Sequence, residues 1–215
     1  MKNPLHLLGF RDKHVCPWWC CFFFDNVLRR GLHCPETILR PYVTPGDTVL
    51  DVGPGMGYFT IPLARMVGEN GRVIAADVQP EMLRFLRRRA ERAGVSHRVE
   101  THLCRPETLG VDVRVDFILA FWMVHEVPNQ EDFFKELKSV LKPLGSILVS
   151  EPKIHVSRAM FNKTLETVRA LGFSVKEEPK LRLSHSAVLT ANLLPFLFSL
   201  LLDSYISLGW HRNPL

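Results

Sequence analysis

From residue 48 to residue 190, short apolar, β-branched runs alternate with stretches in which apolar residues recur every three or four positions. Thr48–Val52 is such a run, stopped by glycine, and predicts a buried strand. Val73–Asp77, Arg98–Leu103, Asp116–Phe121 and Ser146–Glu151 predict four more. Phe173–Glu177 and Ser186–Thr190 predict a closing pair. A helix is expected from near Tyr58, with Pro62 tolerated because it falls in the first turns. Pro80 opens the next, which puts Met82, Leu83, Leu86 and Ala90 on one face and ends at Gly94. The stretch near Glu131–Leu141 groups Phe133, Phe134, Leu137, Val140 and Leu141. The last groups Phe161, Leu165, Val168 and Leu171 and ends at Gly172.

Strand and helix in turn imply an α/β fold, a mostly parallel seven-stranded sheet with helices on both faces. Ligands in such sheets bind at the carboxyl ends of the strands, where strand order reverses. Three zones follow: residues 1–44, rich in Cys, Trp, Phe and Pro, read as an N-terminal lid; residues 45–190 are the α/β domain; residues 191–215 are an apolar C-terminal tail.

The first predicted strand runs into Asp51–Val52–Gly53–Pro54–Gly55–Met56–Gly57–Tyr58–Phe59. Glycine lets a backbone turn sharply and approach a ligand closely. A dinucleotide fold would show G-x-G-x-x-G, with pyrophosphate at a helix N-terminus. Here the spacing is G-x-G-x-G, and Asp51 stands two residues before the first glycine. A carboxylate there repels pyrophosphate but accepts a hydrogen bond from an amino group, so an amino-acid ligand fits better than a phosphate. Asp77 ends the second strand, where an acid can grip both hydroxyls of a ribose.

These stretches resemble the class I S-adenosylmethionine-dependent methyltransferases, above all the broad small-molecule group that includes the quinone-biosynthesis C-methyltransferases. The matching segments are residues 49–59, 73–83, 115–121 and 140–145, within a similarity that spans residues 38–190. The resemblance implies a Rossmann-like fold, S-adenosyl-L-methionine as cofactor, and methyl transfer to a small-molecule acceptor by in-line displacement. It implies that Asp51 and the backbone of Gly53, Gly55 and Gly57 hold the methionine end. Asp77 would hold the ribose, and Val78 would pack on the adenine. Cys104 and Arg105 would line the adenine edge, and the backbone at Ala120 and Phe121 would face the methionine group. Arg105 stands near where the family often carries an acid for the adenine amino group, and Leu144 replaces a usual glycine.

A sulfonium favours aromatic faces, for which Tyr58, Phe121 and Trp122 are candidates. A base is needed only where the acceptor must lose a proton. His125, just past the fourth strand, and Glu151, at the end of the fifth, are the candidates; Lys153, His155 and His185 rank below them.

Composition narrows the picture. The net charge is +5, and the Arg87–Arg88–Arg89 run with Arg84 and Arg92 reads as a solvated helix face, so no nucleic-acid partner is expected. Five cysteines, an odd number, without a secretory leader, point to a reducing cytoplasm rather than a disulfide framework. Cys16, Cys20, Cys21 and Cys34 admit three readings: small apolar residues in a lid, thiolates that capture a soft substrate such as a trivalent metalloid with help from Cys104, or a zinc site with His14 and His33. The favoured expectation is no resident metal. The tail, residues 192–210, is open to packing on the domain, homodimer contact or peripheral membrane contact. Two other readings of the whole remain: a nicotinamide-dependent oxidoreductase, disfavoured by the glycine spacing and Asp51, and a non-catalytic cofactor-binding module.

Overall fold

The computed structural model describes residues 31–192. The elements, in chain order, are α1 (Pro35–Leu39), β1 (Thr48–Val52), α2 (Thr60–Met66), β2 (Arg72–Asp77), α3 (Pro80–Arg92), β3 (Val99–Leu103), β4 (Val115–Phe121), α4 (Gln130–Val140), β5 (Leu141–Pro152), α5 (Arg158–Ala170), β6 (Phe173–Glu177) and β7 (Ser184–Ala191). Short 3₁₀ turns at Ser96–Arg98 and Val124–Glu126 precede β3 and α4.

The strands form one seven-stranded sheet in the order β3-β2-β1-β4-β5-β7-β6. The first five are parallel, and β7 runs antiparallel to both β5 and β6. The chain leaves β1 for one edge and returns on the other side at β4. The reversal therefore lies between β1 and β4, where open α/β sheets carry their ligands.

Alternation along each strand feeds two cores. Leu50, Ile74, Ile118 and Ile147 face Phe134 and Leu137 of α4 and Phe161 and Leu165 of α5. Their neighbours Val49, Val73, Phe117 and Leu148 face Leu63 and Ala64 of α2, with Leu39 of α1. Strands covered on both faces read as near-continuous apolar runs, which is how they appear in the sequence.

The helix ends follow local chemistry. Pro80 opens α3 where its missing N–H costs nothing, and the Ser157 hydroxyl accepts the Met160 N–H at the start of α5. Gly94 and Gly172 end α3 and α5 in the left-handed conformation. β5 is longer than its sequence suggests. Hydrogen bonding begins at Leu141, opposite Val115, and the register then slips so that Ser146 faces Phe117. Gly145 sits in that slip, where a Cβ would fall 2.8 Å from the Asp116 carbonyl oxygen; Leu144 beside it is almost wholly exposed.

Candidate functional site

Two clusters stand at the carboxyl ends of the strands, one on each side of the reversal. The first is the bend between β1 and α2. Gly53, Gly55 and Gly57 all have positive φ, a conformation with a steric cost for any residue carrying a Cβ. A Cβ at Gly53 would lie 3.0 Å from Met123 Cβ, and one at Gly57 would lie 3.1 Å from Leu86 Cγ. A Cβ at Gly55 would meet nothing within 4 Å, so only this glycine borders open space. Asp51 is buried, and its Oδ2 accepts the Thr60 hydroxyl at 2.7 Å, which ties the end of β1 to the first turn of α2.

Asp77 closes β2 beside this bend, 8% exposed. Its Oδ1 accepts the Gln79 N–H at 2.9 Å, and the Gly55 and Val78 N–H groups also favour its charge. Burial outweighs these donors and pushes the carboxyl up to about 6, helped by the negative charge of Glu126 across the cleft. Val78 and Leu103, at the ends of β2 and β3, expose apolar side chains.

The loop after β3 carries a surprise. Arg105 and Thr108 exchange backbone hydrogen bonds at 3.2 Å, which folds Cys104–Thr108 into a tight turn. Glu136 of α4 holds this turn from outside: its Oε2 accepts the Leu109 N–H at 2.7 Å, the Thr108 hydroxyl at 2.9 Å and the Gly110 N–H at 3.3 Å. The Cys104 N–H donates to the Asp77 carbonyl at 2.9 Å, so the loop is joined to the end of β2. Burial, with Asp77 and Glu136 nearby, pushes the Cys104 thiol up to about 12; it stays a thiol at neutral pH.

The second cluster lies past β4 and β5. Glu151 is 2% exposed and accepts three donors: the Val124 N–H at 3.0 Å, the His125 N–H at 3.1 Å, and His125 Nδ1 at 2.6 Å. One carboxylate thus builds the 3₁₀ turn and aims its imidazole. Glu126 Oε1 lies 3.9 Å from His125 Nε2, and the His155 ring stacks on His125 with centroids 5.6 Å apart. Burial opposes the charge on His125, but the Glu151 hydrogen bond and the two carboxylates prevail and raise its pKa above the ordinary histidine value. His185 is held apart, stacked on Phe161 opposite Glu151 in the β5–β7 register. Burial and the charges of Arg158 and Lys153 lower its pKa.

Aromatic side chains separate the clusters. Ala120 is fully buried and Phe121 nearly so; Phe121 packs on Phe59 with centroids 4.5 Å apart. Trp122 adopts φ 62°, its backbone N–H donates to Ser150 at 2.7 Å, and its indole N–H donates to the Ser184 hydroxyl at 2.9 Å. The fully buried His33 sets its ring edge-on to both Phe121 and Trp122, and the Tyr58 hydroxyl donates to the His33 carbonyl at 2.8 Å.

The structure places Asp51, the three glycines and Tyr58 at the end of β1 and the bend after it, Asp77 and Val78 at the end of β2, Cys104 and Arg105 just past β3, Ala120 and Phe121 at the end of β4, and His125 with Glu151 past β4 and β5. Reasoning from the sequence missed Glu136, Glu126, Trp122's left-handed backbone and the lock at His33. Of the N-terminal cysteines only Cys34 lies within the described residues, its thiol 3.3 Å from Glu36 Oε2. Among the described residues no cluster of three or more His, Cys, Asp or Glu side chains is placed to hold a metal. Cys16, Cys20, Cys21, His14 and the tail after Asn192 lie outside them.

A parallel sheet reversing beside a glycine bend, with a buried acid at the next strand end, defines a Rossmann-like nucleoside-binding protein. A family model described as a methyltransferase domain matches residues 43–187, and the chain belongs to the class I S-adenosylmethionine-dependent methyltransferase family. It is 35% identical over 131 residues to the ubiquinone/menaquinone biosynthesis C-methyltransferase UbiE of Azotobacter vinelandii, covering 59% of this chain and 52% of that one. To the UbiE of Hydrogenovibrio crunogenus it is 33% identical over the same shares. The chain spans about half the length of these curated relatives. Among solved structures it is similar to a SAM-dependent methyltransferase from Aquifex aeolicus, with TM-score 0.71 and 26% identity over 81% of this chain and 99% of that one.

S-adenosylmethionine is the cofactor of this family, and the residues present fit it. The open space at Gly55, the buried carboxylate of Asp77 and the exposed apolar edges of Val78 and Leu103 suit an amino acid joined to a nucleoside.

Proposed function

We propose that the chain transfers a methyl group from S-adenosylmethionine to a small-molecule acceptor, with His125 receiving the acceptor's proton. The observation that carries this reading is the 2.6 Å bond from His125 to the buried Glu151, one strand away from the glycine bend. When bound, the cofactor supplies an electrophilic methyl on a sulfonium. The chain's own work is then to position and to move a proton. Asp51 and the Gly53–Gly57 backbone hold the methionine end, Asp77 the ribose, and the Cys104–Arg105 turn the adenine edge. Positioning of this kind contributes about 7–11 kcal/mol when the reacting atoms are held near attack. Glu151 fixes the tautomer by accepting from Nδ1, which leaves Nε2 to take the proton; a positioned base of this kind adds about 10²–10⁴-fold.

A small acceptor is favoured over nucleic acid because the arginines of α3 make one solvated helix face rather than a clustered stripe with interleaved aromatics, and Arg84 there pairs with Glu81 at 3.1 Å. The odd number of cysteines favours a reducing, cytoplasmic setting. Thiol capture of a metalloid would draw on Cys104, whose buried thiol is pushed up to about 12, together with cysteines outside the described residues.

Calorimetry with S-adenosylhomocysteine and with NADH tests the cofactor, and isotopic methyl incorporation into small-molecule extracts of the source cell tests transfer. Binding of the homocysteine product together with labelled small molecules is expected. Binding without any labelled product would favour the non-catalytic module, and binding of NADH alone would overturn the reading.

A further inference from the structure

We propose that the aromatic stretch Trp18–Phe24 of this same chain docks on the apolar face formed by Trp122, Leu183 and Ile154 at the carboxyl ends of the strands. The argument starts from His33, where the described chain is fastened to that face. Its Nε2 donates to the Arg182 carbonyl at 2.7 Å, its own carbonyl accepts from Tyr58, and its ring packs on Trp122. The described chain therefore begins at Gly31, two residues before an anchor on Arg182, the neighbour of Leu183.

Leu183 is an outlier twice over. It has φ 55°, a costly conformation for a residue with a Cβ, and its side chain is 56% exposed. Its carbonyl accepts the Lys153 N–H at 2.9 Å, and the next residue, Ile154, is 86% exposed. A strained backbone that presents leucine to water, beside an isoleucine also in water, points to something that covers both. The chain supplies an occupant of matching chemistry within reach. Phe24 lies eight positions before Leu32, about 12 Å as helix and about 26 Å fully extended. Trp18, Trp19, Phe22, Phe23 and Phe24 give this stretch its apolar content. The apolar C-terminal tail is the poorer candidate: it leaves the sheet after Ala191, beyond the Ser146–Thr190 pair, at the opposite end of β5 from Pro152 and Ser184.

Hydrogen exchange of the full chain, read by mass spectrometry, tests the docking without any methyl acceptor, so its outcome is separable from that of the methyl-transfer reading. Amides in residues 15–28 are expected to exchange at least tenfold more slowly than an unstructured chain. In an Ile154→Asn/Leu183→Asn variant that protection should vanish while β1 and β4 keep theirs; asparagine accepts the left-handed backbone better than leucine, so the fold is spared. The reciprocal variant, Trp18→Ser/Trp19→Ser, leaves the domain untouched and should speed exchange at residues 153–155 and 181–184. Exchange in 15–28 at the unstructured rate, or protection that survives both variants, overturns the proposal. So does protection that disappears on dilution, the mark of a second copy, or that requires vesicles of phosphatidylcholine and phosphatidylglycerol, the mark of a lipid surface.

Discussion

Asp77 and Glu151 are both buried carboxylates at the carboxyl end of a strand, yet their surroundings treat them in opposite ways. Glu151 commits its oxygens inside the protein, to two backbone N–H groups and an imidazole. Asp77 has backbone donors too, but burial and the facing Glu126 outweigh them and its carboxyl is pushed up to about 6. The difference teaches what each is for. A satisfied carboxylate positions its neighbours; a buried one held under electrostatic strain is ready for donors that arrive with a ligand.

The largest expected effect tests the positioned side. His125→Asn should lower kcat by about 10²–10⁴-fold while affinity for S-adenosylhomocysteine stays within about twofold. As a base His125 must be neutral, and its pKa is raised above the ordinary value, so the wild-type rate should climb as pH passes above about 6.5 and then level off. Glu151→Gln should move that limb back toward the ordinary histidine value. A rate in His125→Asn equal to wild type, or an unmoved limb in Glu151→Gln, would break the assignment.

The strained side comes next. Asp77→Asn should weaken S-adenosylhomocysteine binding by about a hundredfold, the loss of a charged double hydrogen bond. The same substitution should stabilise the free protein. The folded pKa of Asp77 lies above its unfolded value near 3.8, so folding takes up a proton between about 4 and 6, and the ionised group costs stability above that window. The gain should be about 1–3 kcal/mol at pH 7 and should fade as pH falls toward 4, visible in thermal melts across pH. Cofactor affinity of the wild type should fall about tenfold per unit below pH 6, as the carboxylate is lost. A variant that loses affinity and stability together would show that Asp77 belongs with Glu151 after all.

How much of this contrast was legible in the sequence follows from its physics. The strands announced themselves because burial on both faces forces continuous β-branched runs, and the glycine bend because positive φ at three near positions admits little else. Asp77 was legible by its distance from that bend. The His125–Glu151 pair was legible only as two separate candidates, since they stand 26 positions apart with a helix between them. Glu136 gave no signal: an acid just past the middle of an amphipathic helix looks solvated, and its three partners belong to a loop 26–28 residues earlier. The slip at Gly145 and the extra length of β5 were hidden because hydrogen bonding, not side-chain pattern, defines them.

Glu136 yields a smaller prediction. Glu136→Gln keeps an acceptor but replaces a charged oxygen that serves three donors, and should loosen the Cys104–Gly110 turn. A loss of about 1–2 kcal/mol in S-adenosylhomocysteine affinity is expected, with kcat at saturating cofactor unchanged. A fall in kcat with unaltered affinity would move Glu136 to the acceptor side of the reversal.

The smallest effects separate the bend's two jobs, folding and binding. Gly55 and Gly57 both have positive φ, so alanine at either carries a backbone cost of about 1 kcal/mol. Only at Gly57 does the new Cβ press on the protein, 3.1 Å from Leu86 Cγ in the packed face of α3. Gly57→Ala should therefore lower the melting temperature more than Gly55→Ala does. At Gly55 the Cβ enters space that the protein leaves open, beside the N–H that supports Asp77, so the excess loss should appear in S-adenosylhomocysteine affinity instead. Equal affinity losses in the two variants would mean that the open side of the bend does not face the cofactor. The division between a strained binding edge and a satisfied positioning edge would then have to be drawn elsewhere than at β1.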